Sequence, residues 1–294
     1  AAASLGNATL ASLRPKVAAQ DVSTIRIFDG MGQVQAEIDA EGYVTTFKYN
    51  AMGLVSESKR FATKLSQSAI NLAKSQPISI SQLVLPKANS QDQVTQTAYD
   101  ALGRVSISTD YLGTRTEFAY DEVGNLIKTT RAVGTSDASS LAKRYDVQGR
   151  VIAELSATGY ALIAAGMTTE QINTIWTQYG STHAYDASGR RTSTTDANGN
   201  KTLFFYDRDG RLSHTINALG EVTETQYNNF GQVSATIAYS KRIALTSLTG
   251  ANAGGLVNTT LTSLLTAART PASDKVTSYT YDVVGNLVQT TDAL

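Results

Sequence analysis

Residues 185–225 read YDASGRRTSTTDANGNKTLFFYDRDGRLSHTINALGEVTET, and within them a unit of 21 residues runs twice in succession. Tyr185-Asp186-Ala187-Ser188-Gly189-Arg190 returns as Tyr206-Asp207-Arg208-Asp209-Gly210-Arg211. Each copy is followed, eleven residues after its Tyr, by a second signature: Asp196-Ala197-Asn198-Gly199 in one, Asn217-Ala218-Leu219-Gly220 in the other. A fixed period of this kind decides the architecture before any single element is weighed.

Asp or Asn at the first position and Gly at the fourth suits a type I β-turn. The short polar side chain accepts bonds from the turn amides, and Gly tolerates the dihedrals at the exit. Between turns lie runs of roughly six residues, the usual strand length, rich in Thr, Val, Ile, Tyr and Phe, which suit a pleated surface. The spacing therefore predicts one β-hairpin per unit. Alternate residues share a face of a strand. Thr45-Phe47-Tyr49, Thr116-Phe118-Tyr120, Thr202-Phe204-Tyr206, Thr223-Thr225-Tyr227 and Thr277-Tyr279-Tyr281 thus place their aromatics together. These are expected to be the apolar filling shared between modules. A single hairpin is marginal in water, so stability must come from stacking hairpin on hairpin.

Working outward, nine copies of the first signature begin at Phe28, Tyr49, Tyr99, Tyr120, Tyr145, Tyr185, Tyr206, Tyr227 and Tyr281. Their turn glycines are Gly32, Gly53, Gly103, Gly124, Gly149, Gly189, Gly210, Gly231 and Gly285. These eighteen are the candidate structural positions of the repeat. The leading aromatics are separated by 21, 50, 21, 25, 40, 21, 21 and 54 residues. The longer intervals predict inserts after a first strand, at about 60–92, 131–142, 157–182 and 239–275.

Three of the inserts read as helical. In TTEQINTIWTQY (168–179), Thr168 and Gln171 suggest a capping box, with Ile172, Ile175, Trp176 and Tyr179 on one face. Phe61, Leu65, Ala69 and Leu72 suggest a helix before Pro77, and Leu261, Leu264, Leu265 and Ala268 another before Pro271. The Ser/Gly/Asn-rich residues 246–258 read as a loop. Residues 1–20 resemble the exit of the last insert and are expected to be the tail of a preceding one. Residues 21–294 form the array, read as an excerpt of a longer one.

The chain has 294 residues, 25 basic and 25 acidic side chains, two His and no Cys. Zero net charge disfavours nucleic acid as a partner. Cysteine chemistry is excluded, and no apolar run reaches the length of a membrane span. No signal-peptide pattern opens the sequence.

Catalytic and metal readings find little support. His183 and His214 lie in strand-like surroundings with no nucleophile motif beside them. Asp196-Ala197-Asn198-Gly199-Asn200 faintly suggests a calcium loop, but its sibling turns carry Leu112 and Leu219 in place of Asn198, and the turn reading serves every copy. Arg104, Arg150, Arg190 and Arg211 are expected to pair with turn aspartates or lie across tyrosine faces. No catalytic residue, cofactor or metal ligand is assigned.

The motif Y-D-x-x-G-[RNQ]-[LV], followed by D-A-x-G-x-x-T, resembles the YD repeat of the Rhs family between residue 28 and the C-terminus. Phe28, Asn50, Asn228 and Leu54 are its departures. The resemblance implies an all-β fold of tandem antiparallel hairpins wound into a curved strip or partial shell, with short helical inserts. In Rhs toxins and the related Tc toxin components such a strip forms a hollow shell around a C-terminal polypeptide, and teneurins use similar repeats in cell-surface adhesion. What it implies here is a non-enzymatic structural segment of a secreted or surface bacterial protein, without the segment that cleaves itself. Its partners would be the other repeats and the C-terminal cargo of the same chain. The alternative is a surface adhesin or carbohydrate-binding stalk, with glycans as partners.

Overall fold

The computed structural model describes residues 23–292, so the expected tail at 1–20 lies outside the described residues. Two compact units are present: one runs through Glu117 and includes Arg131–Ser136, and the other holds Phe118–Thr130 and Asp137–Leu294. Among the described residues there are nineteen strands, four α-helices and three short 3-10 turns.

In the first unit, strands Ile25–Phe28, Val34–Ile38, Val44–Tyr49, Val55–Arg60, Gln93–Tyr99 and Val105–Thr109 pair antiparallel with their sequence neighbours. In the second, the same pairing joins Ser139–Tyr145, Val151–Leu155, Gly180–Tyr185, Arg191–Thr195, Lys201–Tyr206, Leu212–Ile216, Val222–Tyr227, Val233–Ala238, Lys275–Tyr281 and Leu287–Asp292. The fold is an antiparallel β-hairpin repeat with short helices, as the period predicts.

The helical segments leave the ladder unbroken. Between Arg60 and Gln93 the chain leaves the sheet to form α1 (Gln67–Ser75), yet Glu57 still stands opposite Gln96. Between Leu155 and Gly180 come α2 (Ala157–Tyr160) and α3 (Thr169–Tyr179), with Ala153 opposite Thr182. Between Ala238 and Lys275 comes α4 (Thr259–Ala268), with Ala235 opposite Ser278. The helix expected through Phe61 and Leu65 is shorter than read, because α1 starts at Gln67 and both residues precede it; α2 was not expected, and α3 starts after Thr168 as read. Ser66, Thr168 and Asn258 accept bonds from the amides of Ala69, Gln171 and Leu261, and Thr168 and Gln171 complete the capping box.

The dry cores lie where these segments fold back on the sheet. Under α1, Ile27, Ala36, Ile38 and Val44 meet Phe61, Leu65, Ala69 and Leu83. Under α3, Ala142, Ala153 and Leu155 meet Ile175 and Trp176. Under α4, Leu203, Phe205, Ile216 and Val222 meet Ile243, Leu248, Leu261, Leu265 and Ala268.

This corrects the expected filling. In Lys201–Tyr206 the fully buried side chains are Leu203 and Phe205, whereas Thr202, Phe204 and Tyr206 alternate with them and stay half-buried. Burial follows whichever face an insert covers, and each large apolar side chain so covered contributes about 1.5–3 kcal/mol. Residues 246–258, read as a loop, are also packed. Leu248 is buried in the α4 core, and Gly255-Leu256 pairs parallel with Phe205-Tyr206. Gly254 explains why that stretch is glycine-rich: its φ is +96°, and a Cβ there would lie 2.2 Å from the carbonyl oxygen of Thr192.

Candidate functional site

The repeated feature that carries side-chain chemistry is the first-signature turn and the tyrosine of the module that follows it. In Asp186-Ala187-Ser188-Gly189, the Gly189 amide donates to the Asp186 carbonyl at 3.0 Å, and the Asp186 amide donates to the Arg190 carbonyl at 2.9 Å. The Asp186 carboxylate accepts from the amides of Ser188 and Arg190 at 2.9 and 3.0 Å. The turn glycines Gly32, Gly53, Gly103, Gly124, Gly149, Gly189, Gly210, Gly231 and Gly285 all have φ between +76° and +99°. This is a type I turn closed by a left-handed residue and a bulge. Asn50 and Asn228 keep the arrangement, because an amide oxygen accepts the same two bonds. Leu54, the departure after Gly53, leaves it intact.

The second-signature turns are built alike. Asp196 accepts from the amides of Asn198 and Asn200 and from the Asn200 side-chain amide. Both carboxylate oxygens of the faint calcium loop are thus engaged by the turn itself. Among the described residues no three His, Asp or Glu side chains gather as a metal site.

The tyrosines make a contact that sequence reasoning missed. Tyr49, Tyr99, Tyr145, Tyr185, Tyr206, Tyr227 and Tyr281 donate their hydroxyls to the carbonyls of Val34, Val55, Leu126, Val151, Arg191, Leu212 and Val233, at 2.7–2.9 Å. In every case the acceptor opens the first strand of an earlier module. Burial pushes the Tyr206 phenol up from its ordinary value, so the donor stays protonated through the physiological range. Phe28 has no hydroxyl and is half exposed, and Tyr120 ends its strand half-buried. The only signal in the sequence was the preference for Tyr over Phe at this position.

The arginines after the turn glycine do both things expected of them. Arg104, Arg150, Arg190 and Arg211 donate from Nε to Asp100, Asp146, Asp186 and Asp207 at 2.7 Å. Arg150, Arg190 and Arg211 also lie over the rings of Tyr185, Tyr206 and Tyr227, 4.8, 5.5 and 4.7 Å from the centroids. Where Gln replaces Arg, Gln33 and Gln232 reach the carbonyls of Gly53 and Gly285 in the next turn, with separations of 3.5 and 3.3 Å. Turn, arginine and tyrosine form a polar seam that ties module to module.

The histidines are placed apart. His183 is nearly enclosed, with Nδ1 3.1 Å from the Thr194 hydroxyl and Nε2 3.5 Å from Glu154, and burial pulls its pKa down. His214 Nδ1 lies 3.0 Å from the Ser213 hydroxyl, which itself donates to the Phe205 carbonyl; burial pulls this histidine down as well. His183 thus sits between a strand hydroxyl and a carboxylate that also holds Lys143 at 3.0 Å, whereas His214 has no carboxylate bonded to it among the described residues.

Fold and seam together define a hairpin-repeat protein whose modules are joined through side chains. The profile of the RHS Repeat family matches residues 99–136, 185–222 and 262–294, so these segments are similar to RHS repeats. No curated protein sequence matches the chain. Among solved structures, the crystal structures of TcdB2-TccC3-Cdc42 and of TcdB2-TccC3 share the fold. Each superposes with a TM-score of 0.55 at 14% identity, over 92% of this chain and 13% of theirs. This chain therefore spans about an eighth of the length of those it resembles. No helix among the described residues is long and apolar enough to cross a membrane.

Proposed function

We propose that this segment is a non-enzymatic stretch of wall in a larger exported RHS-repeat protein, and that the wall encloses a polypeptide cargo belonging to the same chain. The observation that carries the reading is the seam. Each tyrosine hydroxyl on the backbone of an earlier module makes the array a continuous, laterally bonded surface, which is what a wall requires. The inserts support it, because they leave the ladder closed and cover one face locally. The RHS repeat matches and the shared fold with TcdB2-TccC3 point the same way.

Limited proteolysis of the full-length protein tests the proposal. An enclosed C-terminal region is expected to survive protease doses that digest the same region expressed alone. Equal digestion rates in the two forms overturn it.

A further inference from the structure

A cavity of about 580 Å³ in the second unit differs in chemistry from the seam. It opens between the strands around Lys128 and Arg144 and the helices α2 and α3, which supply Tyr160 and Trp176. None of its lining residues is Asp or Glu.

The two cations are held in place without being neutralised. The Arg144 guanidinium lies over the Trp176 ring, 4.2 Å from the centroid, and one terminal nitrogen donates to the Asn173 side chain at 2.8 Å. Among the described residues it has no carboxylate partner, and its remaining donors are unclaimed. A guanidinium held over an indole keeps hydrogen-bond donors beyond the one given to Asn173, and its fork of N–H groups suits two oxygens at once. The Lys128 ammonium lies 5.7 Å from the centre of the Tyr160 ring and likewise has no ion pair among the described residues. Lys143, which also borders the cavity, is taken by Glu154 at 3.0 Å. Burial pulls the Arg144 pKa down, as expected for a partly desolvated cation lacking a counterion. Arg150 and Arg190, by contrast, face Asp146 and Asp186 directly at 2.7 Å.

We infer that this cavity is a binding site for a carboxylate, received by the free edge of Arg144 with Lys128 as the second charge and Tyr160 and Trp176 as walls. The site is separate from the wall role and stands or falls without it. Its volume lies within the range of small-molecule sites and admits a short mono- or dicarboxylate together with water.

Trp176 is the only tryptophan in the chain, so its fluorescence reports on this cavity alone. Titration with sodium glutarate is expected to give a saturable change in Trp176 emission that weakens as salt is raised. Sodium chloride at equal ionic strength and neutral glutaramide are expected to give none. Lys128→Gln, which leaves the Arg144–Trp176 stack in place, is expected to weaken glutarate binding at least threefold, and Arg144→Gln to abolish it. Arg144→Lys, which keeps charge but loses the fork, should bind more weakly than the parent protein. Circular dichroism of each variant checks that the fold is retained. Absence of a saturable response in the parent overturns the inference, as does unchanged binding in a folded Lys128→Gln protein. A response to inorganic phosphate without one to glutarate overturns the carboxylate assignment.

Discussion

The Tyr206 hydroxyl donates to the carbonyl oxygen of Arg191 at 2.8 Å, joining the end of strand Lys201–Tyr206 to the start of its antiparallel neighbour Arg191–Thr195. The residues are fifteen apart, and so are Tyr49 and Val34 and Tyr227 and Leu212. Where an insert intervenes the separation grows, to 44 residues for Tyr99 and Val55 and to 48 for Tyr281 and Val233, but the bond is the same. The spacing in space is therefore fixed by the module and not by the length of chain between modules.

Removing that hydroxyl alone is the first test of the seam. Tyr206→Phe keeps the ring under Arg190 and loses only the bond to Arg191. A net intramolecular hydrogen bond contributes about 0.5–1.5 kcal/mol, and the Arg191 carbonyl left behind is exposed and can bond water instead, so a loss at the low end, about 0.5–1 kcal/mol, is expected in denaturant unfolding. Phe28 supplies the internal contrast, since it occupies the same repeat position with no hydroxyl and half of its surface exposed. Phe28→Tyr should change stability by less than about 0.5 kcal/mol. If both substitutions prove neutral, the hydroxyl is not what ties the modules.

Substituting Arg211 probes the other half of the seam. Its guanidinium bonds Asp207, pairs with Asp209 at 2.8 Å and lies over Tyr227, so three interactions depend on one planar group. Arg211→Lys keeps the charge but loses the fork and the stacking, because an ammonium is a compact point charge. The pair is partly exposed, so the expected cost is modest, about 0.5–1 kcal/mol. A double-mutant cycle with Tyr227→Leu separates the contributions. A coupling energy within error of zero means the ring and the guanidinium are neighbours without interaction.

How much of this was legible in the sequence follows from which quantities have a period. The turns were, because Asp or Asn with Gly three places on recurs at fixed offsets, and Asn50 and Asn228 satisfy the same amides as Asp186. Helix α3 was, because Thr168 and Gln171 mark its start, and α4 was, through the spacing of Leu261, Leu264, Leu265 and Ala268; for α1 the spacing found the helix but extended it over Phe61 and Leu65, which precede it. The buried face was not. Leu203 and Phe205 lie beneath α4, and which side an insert covers depends on contacts more than forty residues away in sequence. The packing of residues 246–258 escaped for the same reason: glycines that read as slack are needed for close approach, as Gly254 is against Thr192. The cavity of Arg144 and Trp176 joins a strand to a helix from a different segment, and no local motif marks it.

Glycine substitutions separate strain from crowding. Gly199 and Gly254 both have positive φ, +82° and +96°. Nothing lies within 4 Å of a Cβ added at Gly199, whereas one at Gly254 would lie 2.2 Å from the Thr192 carbonyl oxygen. Gly199→Ala should therefore cost only the left-handed backbone penalty, about 1–2 kcal/mol. Gly254→Ala must also push the insert off the strand carrying Thr192 and is expected to cost more, about 3 kcal/mol or above. Thermal unfolding of the two variants side by side checks the order. Equal shifts contradict the close approach of the insert to the sheet.

Acid should loosen the array through its turns. Eight turn carboxyls, those of Asp39, Asp100, Asp121, Asp146, Asp186, Asp196, Asp207 and Asp282, are held below the ordinary value of 3.8. At Asp100 and Asp146 the leading cause is the amide of Arg104 or Arg150, joined by its guanidinium against some opposing burial. At Asp121, Asp196 and Asp282 the side-chain amide of Asn125, Asn200 or Asn286 leads. At Asp39, Asp186 and Asp207 burial pushes upward and is outweighed by the amide and guanidinium bonds together. A folded pKa below the unfolded one means the unfolded chain binds more protons, so this stabilisation is complete above about pH 4 and is lost as pH falls through the folded values. Histidine adds an earlier and smaller loss. His183 and His214 are held down by burial, so their neutral forms favour folding above about pH 6.5 and that share fades below it. Stability measured against pH should accordingly dip slightly between about pH 6.5 and 5 and fall steeply below about pH 4. Asp186→Asn tests the assignment, because Asn228 shows that an amide oxygen accepts the same two turn bonds without titrating. That variant should be less stable than the parent at pH 7, having lost the Arg190 ion pair, and should lose less on acidification. An acid profile identical to the parent's would place the steep loss outside this turn.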